Sequence, residues 1–152
     1  MRVVARGEGC DWDPDKAECE ARVLATEVLD QCLAVALGRA RRDIEREYDW
    51  LFRPMKLTTA QLRLLSLIVL RGPVRGVELA RLSGTRRQTV SRSVRRMFAK
   101  GWLDVALADD LESPALVASS AGLALLRAAY PLWKIAQSMA RARVTQLLTT
   151  GA

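Results

Sequence analysis

Thr85-Arg86-Arg87-Gln88-Thr89-Val90-Ser91-Arg92-Ser93-Val94-Arg95-Arg96-Met97-Phe98-Ala99-Lys100 is the stretch on which the reading of this chain turns. At the helical period its apolar residues Val90, Val94, Met97 and Phe98 gather on one side, while Arg87, Gln88, Ser91, Arg92 and Arg95 fall on the other. One face suits a core and the other is a cationic rod. Between Arg71 and Lys100 nine bases stand against one acid, Glu78, so this segment carries +8 where the whole 152-residue chain carries +7, leaving −1 for the rest. Solvated helices normally intersperse acids that pair with bases one turn away. No acid lies between Gly84 and Gly101. An unneutralised stripe on one helix is the electrostatic footprint of phosphate binding, and double-stranded DNA is the expected partner.

The residues on either side supply a scaffold for that helix. Upstream, a short helix from about Val77 to Ser83 is expected, with Val77, Leu79, Ala80 and Leu82 inward and Gly84 as a tight turn. Two short helices about one turn apart, the second cationic, are the helix-turn-helix pattern. Downstream of Gly101 the period changes to two. Trp102–Leu107 and Ala115–Ala118 then read as strands of a β-hairpin around Ala108–Pro114. Residues 101–119 contain Asp104, Asp109, Asp110 and Glu112 and no base, a net −4. Such a hairpin would meet DNA phosphates with like charge, so it is expected to swing clear of the duplex or to face a protein partner.

Two long amphipathic helices frame this centre. Asp13-Pro14-Asp15 signals a helix start, with Asp13 as N-cap. Leu29, Leu33, Leu37, Ala40, Ile44, Tyr48 and Leu51 predict one helix of about 38 residues, roughly 60 Å long, softened at Gly38 and ended by Pro54. Leu57–Leu62 opens the next helix with a Thr-x-x-Gln capping box and a Leu57/Leu62 staple, and Gly72-Pro73 closes it. Ser119 or Ser120 caps the last helix, which runs to about Leu148 with a kink at Pro131. Its stripe is Leu123, Leu126, Ala129, Leu132, Trp133, Ala136, Met139 and Val144. Both terminal helices carry more apolar face than the small centre can bury, so a homodimer is expected.

The expected fold is therefore mainly α with a small β-hairpin wing. A single domain over 1–152 comprises a flexible tail 1–12, dimerisation helices 13–53 and 120–148, and a winged helix-turn-helix lobe 57–119. The apolar stretch Leu64–Leu70 is far short of the roughly 20 residues a membrane span needs, and Met1–Gly7 lacks a signal's apolar core, so a cytoplasmic protein without a membrane partner is expected. Cys10, Cys19 and Cys32 have no CxxC spacing, and the chain has no histidine. That removes the commonest general base and metal ligand. No catalytic residue, metal or cofactor is assigned, and the protein is not read as an enzyme.

Taken together, Glu47-Tyr48-Asp49, Leu57–Leu62, Val77-Glu78-Leu79-Ala80, Gln88-Thr89-Val90-Ser91-Arg92, Lys100-Gly101-Trp102-Leu103 and Pro131-Leu132-Trp133 resemble, in order and spacing, the MarR family of bacterial winged helix-turn-helix regulators. The resemblance covers about Asp30 to Arg143. It implies a homodimer joined through both terminal helices, a recognition helix per subunit in successive major grooves, a wing at the minor groove, and often a small aromatic effector between the dimer and DNA-binding lobes. Three departures stand out. The family's wing usually holds Asp-x-Arg with further arginines, whereas Asp109–Pro114 has no base. The C-terminal helix stops early. A reactive cysteine of the family's peroxide-sensing branch falls near Ala34, two residues from Cys32 but on another helix face, and Cys32 has no adjacent base, metal or basic cluster in the sequence.

Arg87, Gln88, Ser91 and Arg92 are the candidates for base contact, since arginine suits guanine and glutamine suits adenine. Gln88 has a competing role, because Thr85-x-x-Gln88 is itself a capping box. Arg86, Arg95, Arg96 and Lys100 are expected to meet phosphates or simply to solvate the helix. Thr59 or Gln61 would offer a backbone amide to another. Tyr48, Trp50, Phe52, Arg53 and Trp133 are candidates for an effector pocket, against ordinary core and dimer packing. The expected function is a dimeric, sequence-specific DNA-binding regulator, a repressor relieved by a ligand. The rival is a protein-interaction module on the same scaffold, with weakened DNA binding.

Overall fold

The computed structural model describes residues 14–106 and 115–150. The expected tail, the Asp13 cap and the hairpin tip bearing Asp109, Asp110 and Glu112 lie outside the described residues. The elements are α1 (Pro14–Gln31), α2 (Leu33–Phe52), a 3₁₀ turn (Arg53–Met55), α3 (Thr59–Arg71), α4 (Gly76–Ser83), α5 (Arg87–Ala99), β1 (Leu103–Ala106), β2 (Ala115–Ala118) and α6 (Ser120–Thr150). Two compact units result, Met1–Arg42 and Asp43–Ala152.

In the first unit the expected single helix is interrupted at Cys32 rather than at Gly38. The hydrogen-bond ladder nevertheless passes through, with Cys32 N–H donating to Val28 O at 3.1 Å and Ala36 N–H donating to Cys32 O at 3.0 Å. No residue between Lys16 and Arg42 is buried.

The second unit has a core of Phe52, Leu57, Leu62, Leu64, Leu65, Ile68, Val74, Leu79, Val90, Met97, Trp102, Leu103 and Leu116, with Ala129, Ala136 and Ala140 of α6. The helix α3 starts as its sequence dictates. Gln61 N–H donates to Thr58 Oγ1 at 3.2 Å and Thr58 N–H donates to Gln61 Oε1 at 3.1 Å, the reciprocal capping box, with Leu57 and Leu62 buried beside it. Gly72, at φ 72°, ends the helix and turns the chain into Val74. Val74 then pairs with Leu116 through hydrogen bonds of 3.1 and 2.9 Å. This extra bridge beside the hairpin has no periodic signature, since a single paired residue leaves none.

Helix α4 has eight residues, and Leu79 and Ala80 are its fully buried ones. Val77 was expected inward but is 55% exposed, because at the second position of so short a helix it points off the core-facing side. Gly84, at φ 61°, makes the turn into α5. The hairpin is antiparallel and pairs Leu103 with Ala118 and Ala106 with Ala115. Ser119 caps α6: its hydroxyl accepts from Gly122 N–H at 3.0 Å and donates to Gly101 O at 2.6 Å. The buried apolar residues of α6 are the alanines Ala129, Ala136 and Ala140, with Leu125, Leu126 and Leu132 partly buried beside them. The bulkier Leu123, Trp133, Met139 and Val144 of the expected stripe stay exposed at its flank.

Candidate nucleic-acid interface

Helix α5 is fixed from its apolar side. Val90 and Met97 are buried, and Val94 and Phe98 pack against the same core, as the sequence pattern requires. A polar tie adds to this, Arg63 Nη2 donating to Thr85 Oγ1 at 3.1 Å. The opposite face presents Arg86, Arg87, Gln88, Ser91, Arg92, Arg95 and Arg96, all exposed. Among the described residues no carboxylate pairs with any of these arginines. Their charge is available to a polyanion.

The expected Thr85/Gln88 capping box does not form. Arg86 is the N-cap, no side chain caps the helix, and the Thr85 hydroxyl donates instead to Ser83 O at 3.2 Å. The tight αL turn at Gly84 draws Thr85 back toward α4, out of reach of the first amides of α5. Gln88 therefore has no capping partner and stands exposed beside Arg87 and Ser91. Arg75 and Arg81 of the α4 segment join Arg87 around an open cavity of about 790 Å³ floored by Val77, Val90 and Val94. The segment's charge count included these two arginines. Only the crossing of α4 and α5 brings them beside the recognition face.

Two expected phosphate ligands have bonds within the protein. Lys100 Nζ donates to the Lys56 carbonyl and sits 4.3 Å from the centroid of the Trp102 ring. Burial, then the nearby Lys56 and Arg96 charges, lower its pKa below the ordinary lysine value. It ties the end of α5 to the chain before α3 while remaining exposed. Thr59 is occupied as well: its N–H and hydroxyl donate to Asp49 Oδ1 at 2.6 and 2.7 Å. The Asp49 carboxylate thus sits at the α3 N-terminus, where negative charge is favoured. Gln61 N–H is already committed to the capping box.

The candidate effector residues do not share a cavity among the described residues. Tyr48 is buried and its hydroxyl donates to Gln137 Oε1 at 2.6 Å; burial raises its pKa, with Arg141 acting the other way. Its ring meets Phe52, itself fully buried, edge-on at 6.3 Å. Trp50 borders a cavity of about 380 Å³ with Asp43, Arg46, Glu47, Met139 and Arg143, where Arg143 Nη2 lies 2.6 Å from Glu47 Oε1. Trp133 stacks on Tyr130 at 5.8 Å and lines a separate cavity of about 220 Å³ with Leu62, Ser66 and Leu126. Arg53 is exposed in the 3₁₀ turn and borders neither. Helical spacing puts aromatics on a face but does not say which neighbouring helix covers each, and here different neighbours do.

Three helices, a cationic second helix of the helix-turn-helix and a β-hairpin define a winged helix-turn-helix DNA-binding protein. The MarR family model matches residues 56–110. The transcriptional regulator MosR of Mycobacterium tuberculosis is 28% identical, with a TM-score of 0.67 over 80% of this chain and 93% of that one. MosR in complex with DNA gives 29% and 0.65, over 78% and 92%. A third similar structure, Bordetella bronchiseptica BpsR, comes from work on regulation of its DNA binding by 6-hydroxynicotinic acid, at 20% identity and TM-score 0.66 over 78% and 91%. No curated protein matches the chain. The family match and these structures make the chain similar to MarR-family transcriptional regulators in its central lobe and its fold. No helix among the described residues is long and apolar enough to cross a membrane.

Proposed function

We propose that this protein is a homodimeric, sequence-specific regulator that represses by occupying its operator and is released by a small aromatic ligand. The observation that carries the DNA-reading part is the exposed face of α5, where Arg87, Gln88, Ser91 and Arg92 stand between flanking Arg86, Arg95 and Arg96 with no carboxylate partner among the described residues. Arg87 and Arg92 read bases, Gln88 is free for adenine, and the flanking arginines position the helix on phosphates. Homodimerisation is supported by the first unit, whose apolar residues Leu24, Val28, Leu33 and Leu37 are each more than 60% exposed. Two-fold symmetry then calls for a pseudo-palindromic operator with half-sites about 10 base pairs apart.

Ligand release is supported by the aromatic-lined cavity between α3 and α6 at Tyr130 and Trp133, and by 6-hydroxynicotinic acid acting on BpsR. The test is a gel-shift titration on the protein's own promoter at two salt concentrations, with and without salicylate as the aromatic-acid probe. Tight binding that weakens steeply with salt and beats scrambled duplex supports DNA reading. Equal affinity for both duplexes overturns it and favours the protein-interaction module. Complexes indifferent to the probe remove the ligand arm for that chemical class.

A further inference from the structure

All four lysines of the chain, Lys16, Lys56, Lys100 and Lys134, are exposed, so accessibility alone sets none of them apart. Only Lys100 has its amine lodged between two acceptors. It is the C-cap of α5, and its Nζ donates to the backbone carbonyl of Lys56 and lies 4.3 Å from the centroid of the Trp102 ring. Both anchors are fixed by the fold. Lys56 stands at φ 51° with its N–H donating to Arg53 O at 3.0 Å, and the buried Trp102 donates its backbone N–H to Met97 O at 3.0 Å.

A carbonyl oxygen and the face of an aromatic ring both attract N–H groups and positive charge. When the ammonium gives up a proton, the neutral amine therefore keeps its N–H bonds aimed at the carbonyl and the ring and turns its lone pair to the side that faces solvent. That is the geometry of a held nucleophile. Burial, then the charges of Lys56 and Arg96, make the neutral form easier to reach, since each disfavours the ammonium. Among the described residues no carboxylate pairs with Lys100 to oppose them. The same two cations surround the amine with positive potential, which suits a reagent that carries phosphate.

We propose that Lys100 is an acylation site that takes its acyl group from an acyl phosphate, and that the modification weakens the hold of α5 on DNA. Nζ loses a proton to water and its lone pair attacks the acyl carbon. The N–C bond forms as the C–O bond to phosphate breaks, and the leaving phosphate takes a second amine proton. The product amide is uncharged and retains a single N–H, so it no longer serves both the Lys56 carbonyl and the ring. The end of α5 loses its tie to the segment before α3, and one cation leaves the helix. The effect on DNA rests on the DNA-binding function proposed above; the site itself does not.

The site is tested by incubating the full chain with acetyl phosphate and mapping its peptides by mass. Lys100 should be acetylated several-fold faster than Lys16, Lys56 and Lys134, and equal rates at the four overturn the site. Labelling of Lys100 by acetyl-coenzyme A but not by acetyl phosphate overturns the donor. Lys56→Gln with Arg96→Gln removes both cations and keeps the Lys56 backbone carbonyl, so Lys100 should react several-fold more slowly while Lys134 reacts as before. An unchanged Lys100 rate overturns the part given to the two cations. In gel shifts Lys100→Gln, which imitates the uncharged amide, should bind operator and scrambled duplex several-fold more weakly than Lys100→Arg, which keeps the charge. Equal binding by the two variants overturns the effect on DNA. A parent chain that binds no duplex removes the DNA reading and this effect with it, while the peptide map still decides the site.

Discussion

Gly122 should tolerate no side chain. A Cβ built there would lie 2.1 Å from the Trp102 carbonyl oxygen and 3.1 Å from its carbon, with Leu65 Cδ1 at 3.4 Å. The first two are backbone atoms and cannot swing aside. The Trp102 carbonyl is moreover held by Ser119 N–H at 3.1 Å, within the same turn that Ser119 caps. Gly122→Ala must therefore push the start of α6 away from β1 by about an ångström to reach ordinary contact, disturbing the Gly101–Ser119–Gly122 hydrogen bonds as it does so. Overpacking of this kind costs up to about 3 kcal/mol. Alanine recovers about 1 kcal/mol of helix propensity over glycine. The clash wins, and the variant should lose about 2 kcal/mol, or roughly 4–8 °C in Tm for a chain of this size. Urea unfolding followed by circular dichroism measures it, with Gly76→Ala as control. That glycine opens α4 and has nothing within 4 Å of its Cβ position, so the control should be neutral or slightly more stable. A Gly122→Ala protein as stable as the parent would refute the close approach of α6 to the hairpin.

Arg92→Ala should cost about 1–3 kcal/mol of operator binding and flatten discrimination against scrambled duplex, as should Arg87→Ala, whereas Arg95→Ala should weaken both duplexes alike and lower the salt slope; competition gel shifts separate the cases. Asp49→Ala removes the acceptor of two hydrogen bonds from Thr59 and should destabilise the lobe by about 1–3 kcal/mol, with Asp49→Asn recovering part of the loss, both measured by urea unfolding. Tyr48 has a raised pKa in the fold, so its contribution is fully present below its unfolded value of 10.0 and is lost as pH rises through the higher folded value. The stability difference between parent and Tyr48→Phe should therefore shrink above pH 10, as a tyrosinate can no longer donate to Gln137; a difference that stays constant to pH 11 would contradict this.

The recognition helix was legible in the sequence because both of its signals are local. Val90, Val94, Met97 and Phe98 repeat at the helical period, and the run of arginines without acids needs no knowledge of a neighbour. The same holds for the Thr58/Gln61 capping box and for the two strands, β1 starting one residue later than expected. What the sequence left undecided is what depends on a partner far along the chain. Thr59 and Lys100 carry the right chemistry for phosphate, and their bonds to Asp49 and Lys56, 10 and 44 residues away, leave no trace in the sequence. Gln88 matched a capping box by spacing, yet the turn at Gly84 set Thr85 against Ser83 instead. The aromatic residues of α2 and α6 are candidates for one pocket or for ordinary packing by spacing alone, and in the fold Trp50 and Trp133 border different cavities. Gly122 gave no signal at all, because its reason is a carbonyl 20 residues earlier. Period and composition fix which face of an element is apolar or charged. Which atoms meet across elements is set by helix crossings and turn conformations, and those exist only once the chain has packed.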